Sequence, residues 1–156
     1  MLGLTLNAGA QVYGNDALLD WKEGVTPPPP AFNVDKLLTF EMPTGTSFVY
    51  GVDPATLTIS SDDIVRYVMV ATSPSGVRNI FYEGIRCASA EYKTYARYTP
   101  EGVWVNVTDP QWRTMLGNMP SRHALQFART AACDNVAPTQ TVDEIVRHLK
   151  TGKFSQ

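Results

Sequence analysis

Apolar and polar positions alternate with a period of two through the middle of the chain and take up helical spacing after Asp109. Phe48, Tyr50 and Val52 share one face of a strand running from Thr46 to Val52, and Asp53-Pro54 then opens a turn where the fixed φ of proline is wanted. A short strand through Leu57 and Ile59 is broken by Ser60-Ser61-Asp62-Asp63, and Ile64 to Thr72 is the strongest β run of the chain. Val77 to Cys87, Tyr92 to Tyr98 and Val103 to Val107 supply three further strands. The intervening turns are Ser73-Pro74-Ser75-Gly76 and Thr99-Pro100-Glu101-Gly102, and connections this short make neighbouring strands antiparallel.

The helical signals come last. Asp109-Pro110 reads as an N-cap followed by proline at the first helical position, opening a short helix through Trp112 and Met115 that Gly117 ends. Ser121 caps a second helix to about Ala132, with Leu125, Ala128 and Ala132 on one stripe. Thr141-Val142-Asp143-Glu144 is a capping box; Val142, Ile145, Val146 and Leu149 follow at helical spacing, and Gly152 is placed to end the element. Strands followed by helices predict an α+β fold, an antiparallel meandering sheet with two or three C-terminal helices packed on one face.

Turn position predicts register. If residues 73–76 close the central hairpin, Tyr67 faces Tyr82, Met69 faces Ile80, Val68 faces Phe81 and Arg66 faces Glu83, an opposite-charge pair among apolar neighbours. On the next strand Tyr92 and Tyr98 share one face and Tyr95 the other, and Arg97 opposes Trp104 if residues 99–102 close that hairpin. Arg66, Glu83, Arg86, Tyr92 and Tyr95 are therefore the candidate binding residues, because arginine and tyrosine dominate recognition surfaces. The same residue types also build ordinary sheets and cross-strand clamps.

Composition narrows the class. At 156 residues and 44% hydrophobic, the chain can bury about two-thirds of its unfolded surface in one core. The organisation expected is a remnant of a secretory signal over 1–10, an extended polar and proline-rich lead-in over 11–30 ending in Pro27-Pro28-Pro29-Pro30, and a single α+β domain over 31–156. Ala8 and Ala10 fit the small-residue cleavage pattern, while an ordinary flexible or strand-forming terminus is the alternative for residues 1–10. A net charge of −2 offers no broad basic field for nucleic acid, and no apolar run reaches the length of a membrane span. Two cysteines, Cys87 and Cys133, each in an apolar-flanked segment, invite a disulfide and with it an oxidising compartment, here the periplasm.

Catalytic and cofactor motifs are missing from this pattern. His123 and His148 lack a second histidine or cysteine at i+3 or i+4, so no metal site is expected, and no phosphate-binding loop, nucleophile elbow or dinucleotide fingerprint implies a cofactor. Val65-Arg66-Tyr67, Ser73-Pro74-Ser75-Gly76, Asn79, Tyr82-Glu83-Gly84-Ile85-Arg86-Cys87, Tyr92-Lys93, Tyr95-Ala96, Trp104, Trp112 and Cys133 together resemble the cryptic neisserial protein family over roughly residues 20 to 150. That resemblance implies a periplasmic protein of Gram-negative bacteria and brings no catalytic residue to carry over. The expectation is a non-enzymatic envelope protein that binds an envelope protein or a small ligand. The alternative is a hydrolase using Glu83 or Asp62 with a distant His123.

Overall fold

The computed structural model describes residues 20–118 and 122–152; the signal expected over residues 1–10, the first part of the lead-in over 11–19, and the Ser121 cap lie outside them. Among the described residues an antiparallel sheet of eight strands forms the body of the molecule. These are β1 (Leu38–Phe40), β2 (Val49–Val52), β3 (Thr58–Ile59), β4 (Ile64–Thr72), β5 (Arg78–Arg86), β6 (Glu91–Tyr98), β7 (Trp104–Asn106) and β8 (Arg113–Thr114). The order β1-β2-β4-β5-β6-β7 is a meander in which β3 shares an edge of β4 with β2, and β8 shares an edge of β6 with β7. After the sheet come α1 (His123–Phe127), continued by a π-helical turn over Ala128–Ala132, a small hairpin of β9 (Cys133–Asp134) and β10 (Ala137–Pro138), and α2 (Val142–Thr151). No described helix is long and apolar enough to cross a membrane.

The central hairpin is offset by one residue from the expected register. Val68 faces Tyr82, Met69 faces Phe81, Tyr67 faces Glu83 and Arg66 faces Gly84. The cause is Gly76, whose φ of 87° lets it follow the type I turn as a left-handed residue. Gly76 N–H donates to Ser73 O while Ser73 N–H donates to Val77 O, so the loop holds three residues rather than two. Residue alternation then sends Arg66 and Glu83 to opposite faces of the sheet, and the pair expected from the sequence does not form. Gly102, at φ 81°, repeats the arrangement between β6 and β7, where Thr99 N–H donates to Val103 O and Trp104 faces Tyr98 instead of Arg97.

A β-bulge shifts the next pairing. Tyr82 faces Ala96 but Glu83 faces Thr94, leaving Tyr95 as the extra residue. Tyr95 therefore joins Tyr98 and the Tyr82 cluster on one face, and Tyr92 is left on the other, which reverses part of the expected alternation. The bulge fits here because β5 carries Gly84 opposite it: a Cβ at that position would lie 2.8 Å from the Tyr95 hydroxyl.

Helices cover one face only. Val65, Tyr67, Met69 and Ile85 pack against Phe127, Ala131, Ile145 and Leu149, each of the large aliphatic side chains and Phe127 contributing roughly 1.5–3 kcal/mol by burial. α2 starts where its capping box predicts, with Thr141 Oγ1 accepting from Glu144 N–H at 3.1 Å, and Gly152 ends it in the left-handed region at φ 63°. The helix expected at Asp109-Pro110 does not form. Asp109 has φ 48° rather than the extended backbone of an N-cap, Trp112 is drawn to the opposite face of the sheet, and Arg113–Thr114 pair with β6 as β8. The segment from Trp21 to Asn33 lies as a strap across that opposite face, tied at its end by Asn33 N–H donating to Asp53 Oδ2.

Candidate functional site

The residues singled out by sequence separate into two clusters. On the helix-covered face, Tyr67 and Glu83 are cross-strand neighbours, and α1 brings His123 down onto them. His123 Nε2 lies 2.9 and 3.0 Å from the two Glu83 oxygens, and the Tyr67 hydroxyl donates to Glu83 Oε2 at 3.1 Å. The imidazole stacks on Tyr50 at 5.2 Å with an interplanar angle of 5°, and Tyr92 meets it edge-on at 6.0 Å. Burial pushes the His123 pKa down, but the charge of Glu83 and its hydrogen bond outweigh burial and leave it raised. Glu83 is 1% exposed, Tyr67 0% and His123 6%, so this group is sealed beneath the helices.

On the strap face, Arg66 and Tyr95 meet a carboxylate that the sequence reading passed over. Glu23 accepts from Arg66 Nη2 at 3.3 Å, Lys93 Nζ at 2.7 Å, the Tyr95 hydroxyl at 2.6 Å and Trp112 Nε1 at 3.2 Å. Arg66 also reaches Asp62 Oδ2 at 3.1 Å and Ser60 Oγ at 2.7 Å, and Ser60 in turn donates to Asp62 Oδ1. Arg86 lies over the Trp21 ring at 3.9 Å, and the Trp21 indole N–H donates to Asp62 O at 2.7 Å. Burial raises the Glu23 and Asp62 pKa values; hydrogen bonds from Lys93 and Tyr95 to Glu23, and from Ser60 and Gly24 to Asp62, more than reverse this and hold both low. The Tyr95 hydroxyl is driven far above its ordinary value, first by burial and then by the Glu23 carboxylate it donates to.

Glu23 is not legible from the sequence because its partners stand 43 to 89 positions away. The one local signal is an acidic residue two places after Trp21 and just before the prolines.

Beside the polar network the strap face turns aromatic. Phe32 packs edge-on against Tyr98 at 4.8 Å and Trp104 at 5.6 Å, and Tyr82 links Trp104 to Tyr95. An open groove of about 960 Å³ runs along this cluster between Pro29, Phe32, Ile80, Tyr98 and Trp104. A second depression of about 380 Å³ lies beneath Pro27–Pro29 against Tyr82, Lys93 and Tyr95. No group of three or more histidine, cysteine, aspartate or glutamate side chains among the described residues is placed to hold a metal ion.

Cys87, at the end of β5, and Cys133, in β9, form a disulfide that ties the sheet to the helical layer. In comparisons with known proteins, no curated protein and no solved structure matches the chain. The model of the CNP1-like family matches residues 16–150, and the chain belongs to that family.

Proposed function

We propose that this member of the CNP1-like family is a non-enzymatic binding module of the bacterial periplasm, related to the cryptic neisserial proteins, and that its strap-face groove receives an extended segment of an envelope protein. The observation that carries this is a division of labour between the faces: the groove is open and lined by Phe32, Tyr98 and Trp104, whereas the Glu83–His123 pair is sealed in the core. Aromatic side chains in a concave surface supply contact area at low entropic cost. The edge strand β7 borders the groove through Trp104 and also carries the exposed Val105, and an edge of this kind accepts an added strand. The disulfide supports export, because such bonds persist in oxidising compartments.

A photo-cross-linking residue at Val77, on the rim of the groove, tests the reading in intact envelopes. A discrete cross-linked protein that disappears in a folded Trp104→Ala variant is the expected result. Identical cross-links from Val77 and from Lys150 on α2 would overturn it. The hydrolase reading draws on the convergence of Glu83 and His123 at 2.9 Å. Hydrolysis of ester or peptide probes that a folded His123→Gln variant abolishes would establish that reading in place of binding alone.

A further inference from the structure

The edge of β6 is interrupted. β7 covers Ala96 to Tyr98 and β8 covers Glu91 and Tyr92, and between them the chain from Val107 to Trp112 swings outward, attached to the strand through Val107 N–H donating to Tyr95 O. On the helix-covered side of this gap lies a polar pocket of about 160 Å³ whose lining includes Tyr92, Thr94, Arg97, Asp109, Gln111 and Arg113. The register explains the convergence: Arg113 faces Tyr92 across β8 and β6, and Thr94 and Arg97 project from the same side of β6.

Two guanidinium groups thus share one small pocket, and among the described residues neither Arg97 nor Arg113 forms a salt bridge. Arg97 is braced over the Phe81 ring at 4.9 Å, so it is held in place without a carboxylate partner. Burial and Glu83 raise the Tyr92 hydroxyl pKa while Arg113 and Arg97 act in the opposite direction, which puts both positive charges near that hydroxyl. Asp109 Oδ1 already accepts from Gln111 Nε2, leaving the pocket with one net positive charge. Paired guanidinium forks with flanking hydroxyls suit an oxyanion, and a single net charge suits a monoanion.

We propose that this pocket binds the carboxylate group of a small ligand. The site is separate from the strap-face groove, lying on the other face of the sheet, and it stands whether or not that groove binds a partner. Titration of the labelled protein with sodium acetate, and separately with inorganic phosphate, at constant ionic strength tests it through the arginine side-chain and backbone amide resonances. Acetate should produce saturable shifts confined to Tyr92, Thr94, Arg97 and Arg113, weakened about tenfold or more in Arg113→Gln and unaffected in Arg147→Gln. Both variants change exposed residues, so unchanged spectra elsewhere establish that each is folded. Shifts that do not saturate, or that persist in an Arg97→Gln, Arg113→Gln double variant, would overturn the site. Tighter binding of phosphate than of acetate would overturn the carboxylate assignment.

Discussion

Gly84 is the residue on which the strap face depends most directly. It stands under the bulge at Tyr95, and an added Cβ would approach the Tyr95 hydroxyl at 2.8 Å, its ring at 2.9 Å and Ile64 Cγ2 at 3.0 Å. The ring cannot retreat, because its hydroxyl is tied to Glu23. Gly84→Ala should therefore cost about 1–3 kcal/mol in urea unfolding, as overpacking does. A second residue-scale consequence is pH dependence. His123 is raised in the folded protein, so its contribution to stability is fully present below the ordinary imidazole range and is lost as pH rises through the raised folded value. As pH rises from the ordinary imidazole range through that raised value, the wild type should lose stability relative to His123→Gln. Glu23 and Asp62 act on the acid side: their pKa values are lowered, so their contribution is present above the ordinary carboxylate range and is lost as pH falls through the lowered values. A flat difference between wild type and His123→Gln as pH rises from the ordinary imidazole range would show that the imidazole is not held charged by Glu83.

At the scale of elements, local rules carried far. Ile64–Thr72 was legible because a strand buried on both faces reads as a continuous apolar run, and α2 was legible because cap, stripe and terminal glycine agree. Both hairpin registers slipped for one reason, since Gly76 and Gly102 follow type I turns and each adds a residue to its loop. That glycine was in the sequence as a signal. The helix expected at Asp109 was not correctable from sequence, because Trp112 answers to Glu23 and Arg113 to β6, both remote. The candidate site divides along the same line. Arg66, Tyr95 and Glu83 were found by residue type, but which face each occupies depended on the register, and Glu23 depended on tertiary contacts alone. Because α2 docks through its stripe, Leu149→Ala should cost about 2–4 kcal/mol and Lys150→Ala less than about 0.5 kcal/mol. Equal shifts in the urea midpoint would show that the stripe is not the docking face.

For the molecule as a whole, the disulfide is the covalent cross-link between sheet and helical layer. Its cysteines are 46 positions apart, and closing such a loop stabilises the native state by about 4 kcal/mol in the chain-entropy model. Reduction, or a Cys87→Ser, Cys133→Ser variant, should lower stability by up to that amount while the sheet register is retained in amide exchange. Loss of the register on reduction would show instead that the bond holds the meander itself in place.

The Glu23 clamp also sets an order of events. β4, β5 and β6 are joined by short turns, whereas Glu23 must find Arg66, Lys93, Tyr95 and Trp112 across separations of 43, 70, 72 and 89 positions. Loop-closure entropy places such contacts late on the folding path, after the hairpins that create their docking surface. Glu23→Ala should accordingly speed unfolding by about tenfold or more and alter refolding by less than about twofold, read by stopped-flow tryptophan fluorescence. Comparable slowing of refolding would put the strap in the folding nucleus. On the expected outcome, a segment synthesised before the sheet is fastened only after the sheet exists, and until then Trp21 and the prolines behind it travel with an unfinished fold.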